Sequence, residues 1–471
     1  MAATNAARST EVVLINPRAT YYNEVAQKCF PPMHLLYLAA ALRAGGYSPS
    51  VLDANAFRMT DDEVAEEIRR RKPLVVGLSV YSDILPQVRD MIRRVREVSP
   101  ESRVVLGGPH VSAVPGQTLA QFRDADYALS GEAEQSLVML CRQVVEGGPV
   151  DQIPGIVYRD GAEVVEGPPP VFPELTEIPL PARDLLARAY DEKRYYSIMV
   201  RNRPVDTLFT SRGCPFRCGF CYNFRQKYRY RTPEDVVDEL TRIRERGIRD
   251  VEIADDTFTG RVERAIKIFD LILAEKLDVS FRIKSRVDVF TEELAQKARQ
   301  AGVYLVAFGM ESGSQRMLDA MNKRTTVEMN ARACRLTRKY RMMSHSSWII
   351  GYPGETPETV SETLDFIRAY RPSTVNLAVL RPYPGTEAYH VAASAGALVG
   401  DWHPDAEDLP WVRLPWAPEK RILDELCRKV RRQVYFTPYY AAAFASQIVR
   451  SANWKLAQYA GQEMLRTLKL K

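Results

Sequence analysis

The sequence predicts an α/β chain with a doubly wound, Rossmann-like parallel sheet over 1–150. A partial (β/α)6 barrel of TIM type follows over 201–400, and a helical segment over 401–471. Three observations predict this. Short apolar runs alternate with helical patterns up to residue 150, seven prolines crowd 151–200, and the alternation resumes at Thr207 for six strand–helix units.

In the first domain, Glu11–Asn16 is a buried-strand run stopped by Pro17. Met33–Arg43 places Leu35, Leu38, Ala39 and Leu42 on one helical face and ends at Gly45-Gly46. Ser50–Asp53 is a second strand, and Thr60 with Glu63 forms a capping box that opens a helix to Arg71. Leu74–Val80 is a third strand, followed by a helix over Pro86–Val98. The fourth strand, Arg103–Gly107, ends in Gly107-Gly108-Pro109, and the fifth, Tyr127–Leu129, ends in Ser130-Gly131-Glu132. Residues 151–200 have too many prolines for a long helix and read as a linker. Barrel strands fall near Thr207–Thr210, Asp250–Ala254, Ser280–Ser285, Val303–Gly309, Ser346–Ile350 and Thr374–Val379. Helices lie between them, such as Pro233–Arg246 with Thr232 as N-cap and Gly247 as stop. After Asp401 the pattern is helical and aromatic.

The composition fits a cytoplasmic multidomain enzyme. With 46% hydrophobic and 26% charged residues, the 471-residue chain is ordinary for a globular protein. No apolar run approaches the ~20 residues of a membrane helix. Met1–Glu11 has one arginine and no apolar stretch, so it does not read as a signal peptide. Of the net charge of +6, the segment Glu419–Lys471 carries +7, from eleven Lys/Arg against four Asp/Glu. The rest is nearly neutral, which argues against a nucleic-acid partner and marks the tail as a partner surface.

Four of the seven cysteines are scattered (Cys29, Cys141, Cys334, Cys427), whereas Cys214, Cys218 and Cys221 share one short stretch. That is no disulfide framework and points to metal or redox chemistry. The stretch Ser211-Arg-Gly-Cys-Pro-Phe-Arg-Cys-Gly-Phe-Cys-Tyr-Asn223 directly follows the first barrel strand. Three thiolates on one loop can hold three irons of a [4Fe–4S] cluster and leave the fourth open to a ligand. A structural zinc site wants four protein ligands, and no second Cys/His pair with that spacing exists among the five dispersed histidines. Three packed core cysteines would leave the intervening Pro215, Arg217 and Gly219 unexplained.

At these residues, with Phe220 before the third cysteine, the sequence resembles the radical S-adenosylmethionine enzymes. The resemblance implies that S-adenosylmethionine chelates the open iron and is cleaved to a 5′-deoxyadenosyl radical that takes hydrogen from substrate. It also implies cofactor contacts at Glu311 and Ser312, in Gly309-Met-Glu-Ser-Gly-Ser314, and an adenine contact at Tyr222. Ser312 or Ser314 could equally open the next helix. Asp255, Asp256 and Arg286 stand at strand ends, where a barrel carries its active site or merely solvated loop residues. Gly351-Tyr-Pro-Gly-Glu355 and Arg381-Pro-Tyr-Pro-Gly-Thr386 read first as turns.

The first domain is similar to the cobalamin-binding domain of one large subclass of that family. The similarity rests on Asn16-Pro17, Pro31-Pro32, Gly77-Leu-Ser79, Gly107-Gly-Pro-His110 and Ser130-Gly-Glu132. It implies corrin contacts at Ser79, Gly107, Gly108, His110, Gly131 and Glu132. No Gly-x-Gly-x-x-Gly follows the first strand, which disfavours a dinucleotide. The Asp-x-His-x-x-Gly motif that gives some cobalamin enzymes a cobalt ligand is absent. His34 and His110 therefore stand near the cofactor without being assigned to cobalt.

The subclass implies a C-methyltransferase acting on an unactivated carbon. One S-adenosylmethionine would methylate cob(I)alamin, and a second would generate the substrate radical that captures the methyl group. The alternative is a cobalamin-dependent oxidative cyclase or ring-rearranging enzyme. Less fitting are a redox- or cobalamin-sensing module and a methylthiotransferase. Family membership further implies an electron donor such as flavodoxin or ferredoxin. In the tail, Tyr435, Phe436, Tyr439, Tyr440, Phe444 and Trp454 interleave with Arg428, Lys429, Arg431, Arg432, Arg450 and Lys455. This suits a helical cap on the barrel, peripheral membrane contact, or a lipophilic or anionic small-molecule substrate.

Overall fold

The computed structural model describes residues 10–18, 28–197, 199–222, 226–406, 409–435, 437, 440 and 442. The chain divides into two compact units, Met1–Ser197 with Asp401–Leu409 and Ile198–Gly400 with Pro410–Lys471. No helix among the described residues is long and apolar enough to cross a membrane.

The first unit is built on β1 (Glu11–Asn16), β2 (Ser48–Asp53), β3 (Val75–Ser79), β4 (Arg103–Gly107) and β5 (Tyr127–Leu129), all parallel. Two further strands, β6 (Ile156–Asp160) and β7 (Glu163–Glu166), add an antiparallel hairpin, and the order is β2-β1-β3-β4-β5-β6-β7. β1 and β3 are near-continuous apolar runs because helices cover both faces of the sheet. The covering helices include α1 (Met33–Ala44), α2 (Asp61–Arg71), α3 (Leu85–Val98) and α4 (Glu134–Glu146). The capping box at α2 is formed, with Glu63 N–H donating to Thr60 Oγ1 at 3.2 Å and Thr60 N–H to Glu63 Oε2 at 2.7 Å. Strand order reverses at β1, so the crevice of this doubly wound sheet opens between the carboxyl ends of β1 and β3.

The segment read as a proline-rich linker carries more structure than that reading implied. Its prolines flank the β6–β7 hairpin rather than interrupt it, and the two-residue turn is Gly161-Ala162, with Gly161 at φ +60° in the first turn position where a hairpin favours glycine. Arg159 ties the hairpin down by donating to the carbonyls of Leu119, Phe122 and Ala125. Further along, Tyr195 is fully buried and donates to Asp53 Oδ2 at 2.9 Å, while Asn16 donates to Asp53 Oδ1 at 2.8 Å. The described residues of 401–409, read as the start of the helical tail, carry no helix and group with this unit: Trp402 is buried and its carbonyl accepts from Gln121.

The second unit is a six-stranded parallel sheet in sequential order: β8 (Val205–Leu208), β9 (Asp250–Ile253), β10 (Ser280–Ser285), β11 (Val303–Glu311), β12 (Met343–Ile350) and β13 (Thr374–Val379). Helices α5 (Pro233–Glu245), α6 (Val262–Ala274), α7 (Glu292–Gln300), α8 (Val327–Lys339) and α9 (Pro357–Tyr370) connect them. The last, α10 (Lys420–Tyr435), lies against β13. It buries Leu423, Cys427, Val430 and Val434 and exposes Arg421, Arg428, Lys429, Arg431 and Arg432. The Tyr435 hydroxyl accepts from Val375 N–H at 2.9 Å and donates to Val375 C=O at 2.8 Å, which blocks the open edge of β13. Phe436, Tyr439, Phe444, Trp454, Arg450 and Lys455 lie outside the described residues.

Replacing Tyr195 by Phe should cost about 1–3 kcal/mol, because Asp53, only 1% exposed, then loses a donor it cannot recover from water. Urea denaturation of the two proteins measures this.

Candidate active site

The carboxyl ends of the barrel strands carry the cysteine loop. It leaves β8 through Thr210 and Ser211, and both are tied to Asp255, two residues beyond the end of β9. Asp255 has no solvent exposure and accepts three hydrogen bonds: Thr210 N–H at 2.6 Å, Thr210 Oγ1–H at 2.5 Å and Ser211 Oγ–H at 2.6 Å. From the other side, the buried Arg264 of α6 donates to Thr210 C=O at 2.8 Å. The turn into the loop needs Gly213: φ is +76°, and a Cβ there would stand 2.7 Å from Lys227 O.

Further on, Gly219 N–H donates to Met321 C=O at 2.8 Å and Gly219 C=O accepts from Ala388 N–H at 2.9 Å. Asn322 Nδ2 donates to Arg217 C=O at 3.0 Å. The loop is thus held along its length by backbone and side chains of four neighbouring segments. Cys218 is buried, Cys214 and Cys221 are half-buried, and none of the three is in a disulfide. Burial pushes the Cys214 thiol up; a hydrogen bond from the Phe216 backbone opposes this, Asp256 and Cys218 add to it, and Arg286 lowers it. Among the described residues, no three His, Cys, Asp or Glu side chains converge as ligands of one ion. A [4Fe–4S] cluster does not require that, because each thiolate binds its own iron at a separate corner.

Two cations border the loop. Arg286, which follows β10, places Nη1 3.7 Å from Cys218 Sγ and stacks its guanidinium 3.8 Å from the Phe216 ring centroid. Lys323 lies 5.7 Å from the Phe220 ring and donates to Glu311 Oε1 at 2.9 Å in a buried ion pair. Glu311 reaches that position through two irregularities. The β11–β12 register shifts between Gly309 and Glu311, and Glu311 itself has φ +60°. A bulge combined with a left-handed non-glycine residue re-aims a side chain at a local energetic cost. Here it folds the carboxylate back over Gly309, where a Cβ would collide with it.

The expected site residues separate into two groups. Arg286 and Glu311 gather with Lys323 around the cysteine loop, and exposed Asp256 sits close enough to Cys214 to raise its thiol. Tyr222 ends the described part of the loop, half-buried. Ser312 instead faces inward: it is fully buried, its hydroxyl pairs with Thr363 Oγ1 at 3.1 Å and accepts from Ser314 N–H at 3.1 Å. Lys323 was not singled out from the sequence; the signal available was only its basic character ten residues after Gly313.

Between the strands the face opposite the helices mixes polar side chains with the apolar Leu305, Met343 and Ile349. Parallel pairing puts Glu252 beside Arg282, and Lys284, Ala307, His345 and Thr374 in one cross-strand row, with Ser347 and Asn376 one step beyond. These alternate with buried Ile283, Val306, Phe308, Ser346, Trp348 and Leu377, which face the helices. A closed eight-strand barrel fills its interior with branched apolar side chains; this face carries Lys284, His345, Ser347 and Asn376 among its apolar ones.

In the first unit, Ser79 ends β3 and is buried, while Gly108 follows β4 with φ +102° and no room for a Cβ, which would stand 3.1 Å from Val80 O. That turn buries His110, whose Nδ1 is 2.9 Å from Ser82 Oγ and whose Nε2 has no partner. Burial lowers the His110 imidazole to about 4 and the His34 imidazole, whose Nε2 is also unpartnered, to about 4, so both rings are neutral at pH 7. The space beside Gly131 is filled by Pro170 of the same chain, and Gly131 N–H donates to Ser112 Oγ at 2.9 Å. Glu132 is half-buried at the same loop.

Comparison with known proteins bears on both units. Residues 208–367 match the radical SAM superfamily and residues 20–140 the B12 binding domain. An uncharacterized methyltransferase of Pyrococcus horikoshii is 30% identical over 434 residues, 91% of this chain and 92% of that protein. The chain belongs to the cobalamin-binding radical S-adenosylmethionine family. An anaerobic magnesium-protoporphyrin IX monomethyl ester cyclase of Rubrivivax gelatinosus is 31% identical over 76% of this chain and 66% of its own length. In fold, the chain is similar to the radical S-adenosylmethionine methyltransferase TsrM of Kitasatospora setae, solved with cobalamin and a [4Fe–4S] cluster. The TM-score is 0.69 at 23% identity, covering 85% of this chain and 78% of that one.

As a member of the family, this chain is an enzyme whose cofactors are a [4Fe–4S] cluster, S-adenosylmethionine and cobalamin. Its residues fit them. Three cysteines outside any disulfide stand on one pinned loop, and among the described residues they do not converge on a single ion. The barrel face beyond them carries Lys284, His345 and Asn376, and the first unit offers a tight glycine turn that buries the neutral His110 ring with its Nε2 unpartnered.

Two outcomes follow. Asp255→Ala should leave the fold largely intact but release the cysteine loop, so that anaerobic reconstitution yields well under half the wild-type iron per chain. Glu355, in the turn after β12, is 2% exposed with Oε1 unpartnered, and burial raises its carboxyl to about 8. A carboxyl raised in the folded state costs stability as pH climbs from the ordinary glutamate range through about 8. Glu355→Gln should therefore raise the melting temperature at pH 8 and flatten its fall between pH 5.5 and 8.

Proposed function

We propose that this enzyme is a cobalamin-dependent radical S-adenosylmethionine C-methyltransferase that methylates an unactivated carbon of a small molecule. The observation that carries the reading is the near full-length match to a relative named a methyltransferase, joined to a three-cysteine loop at the carboxyl end of a parallel strand. When bound, the cluster and S-adenosylmethionine supply radical initiation and the corrin supplies the transferable methyl group.

The chain's own residues divide the remaining work. Cys214, Cys218 and Cys221 hold three irons and leave one open. Asp255 and Arg264 fix the loop's entry, and Arg286 and Lys323 place positive charge beside it. Glu311, aimed by its bulge, and Asp256 and Tyr222 at the loop are read as contacts of S-adenosylmethionine, and Ser312 as the residue that shapes the Glu311 turn. Ser79, Gly107, Gly108, His110, Gly131 and Glu132 are assigned to the corrin side of the first unit, with corrin binding in 1–150 and radical chemistry in 201–400. Lys284 on the barrel face donates at 3.1 Å to a carbonyl, that of Ala254, so its charge suits an anionic group on the substrate. We place the enzyme in the cytoplasm with a flavodoxin or ferredoxin as reductant, and read the basic face of α10 as a surface for an anionic partner, a membrane surface among them.

A second reading, oxidative cyclisation without methyl transfer, is favoured by the identity to the protoporphyrin ester cyclase. The two separate by product. Protein reconstituted without oxygen with iron, sulfide and hydroxocobalamin, then reduced in S-adenosylmethionine, should bind one corrinoid and release 5′-deoxyadenosine. With substrate, methyl transfer yields S-adenosylhomocysteine as well; 5′-deoxyadenosine without it would favour cyclisation. Cys218→Ala should abolish cluster and products together, and an iron-replete, active variant would overturn the cysteine assignment.

A further inference from the structure

The loop cysteines have a charged neighbour whose geometry goes beyond holding the loop. Arg286 is 6% exposed, and its guanidinium is committed on every side. Nε and Nη2 donate to Asp288 Oδ1 and Oδ2 at 3.0 and 3.1 Å, and Nη2 also donates to Lys323 C=O at 2.8 Å. The flat face rests on Phe216 at 3.8 Å. With the fork fixed by those three acceptors, Nη1 is left pointing at Cys218 Sγ, 3.7 Å away. Arginine suits this role because its planar guanidinium stays charged and its donors diverge in a rigid fork.

We propose that Arg286 sets the reduction potential of the cluster, and that Asp288 is the positioning residue that both aims the guanidinium and partly offsets its charge. This rests on the reading that Cys214, Cys218 and Cys221 carry a [4Fe–4S] cluster. The step concerned is uptake of one electron from an external reductant, [4Fe–4S]2+ to [4Fe–4S]+, with no bond or proton exchanged by the protein. Reduction adds negative charge to the cluster and its sulfurs. A fixed cation at hydrogen-bond range of one ligand sulfur, in a site shielded from water, stabilises that added charge and moves the potential to less negative values. The adjacent carboxylate of Asp288 works in the opposite sense. Two neighbouring side chains thus act on one electron with opposite signs, and a purely structural clamp would not behave this way.

The test uses the full-length protein, reconstituted anaerobically with iron and sulfide, without S-adenosylmethionine or substrate. It is poised with dithionite and redox mediators and followed by electron paramagnetic resonance of the reduced cluster. Arg286→Gln should hold near wild-type iron and sulfide and show a more negative midpoint potential; Asp288→Asn should show a less negative one. Equal potentials in wild type and Arg286→Gln at full cluster content would overturn the proposal. So would two shifts in the same direction, the mark of a loop merely loosened. Should Arg286→Gln fail to retain its cluster, Asp288→Asn decides: a less negative potential supports the assignment, and an unchanged or more negative one refutes it. A wild-type protein that takes up no [4Fe–4S] cluster refutes the cysteine reading itself, an outcome visible before any variant is measured.

Discussion

A carboxylate with no solvent exposure has to be compensated by hydrogen bonds, and Asp255 draws its three from the first two residues of the cysteine loop. The consequence is geometric. β8 and β9 are adjacent parallel strands, so a side chain just past the end of one pins the chain just past the end of the other. Arg264 closes the arrangement by donating to Thr210 C=O, which also accepts from Arg231 N–H at 2.9 Å. The loop therefore enters its course from a fixed point. Its glycine turn and its later contacts to Met321, Asn322 and Ala388 fix the rest. A site that must position a reactive cofactor gains from supports of this kind, because misplacement of about 1 Å can cost two orders of magnitude in rate.

The same economy governs β11, the strand at the centre of the site. Its central pairs are regular, then the register slips and Glu311 takes a left-handed conformation that a non-glycine residue adopts only at a cost. The surroundings that hold it there are visible. Asn330 donates to the carbonyls of Met310 and Ser312, Ser312 turns back on Ser314, and Lys323 receives the carboxylate. Ser312 thus shapes the turn from within, and Glu311 is what the turn presents.

Much of this was legible in the sequence because short-range rules sufficed. The capping box at Thr60, the stop at Pro17 and the unbroken apolar strands located the five parallel strands of the first sheet to within two residues of their ends. The six barrel strands followed from their apolar alternation, and the cysteine spacing carried the chemistry. What escaped was set by contacts distant in sequence. The proline count over 151–200 conceals the Gly161-Ala162 turn, because Pro154 and Pro168 stand outside the hairpin strands and leave their hydrogen bonds untouched. Asp255 and Asp256 look alike as neighbours in sequence, yet one is buried as a structural pin and the other exposed beside Cys214. Lys323 belongs to the site only because the helix after β11 returns it to the loop, a distance that no local pattern encodes.

The first unit poses a different electrostatic problem. Its sheet offers no Asp-x-His-x-x-Gly motif, yet two imidazoles near its loops are held neutral by burial with one nitrogen each unpartnered. A neutral ring with a free nitrogen can donate or accept one hydrogen bond, whereas a charged ring in that burial would need a carboxylate counter-ion. For His110 the choice is coupled to Ser82: if the serine hydroxyl donates to Nδ1, the proton sits on Nε2 and the free position is a donor. If Nδ1 carries the proton, the free position is an acceptor. Either tautomer presents a single directed polar contact next to the Gly108 turn, where backbone approaches most closely. That combination of one neutral, orientable hydrogen bond and a side-chain-free turn suits a bulky ligand edged with amides better than it suits a phosphate, which would call for positive charge.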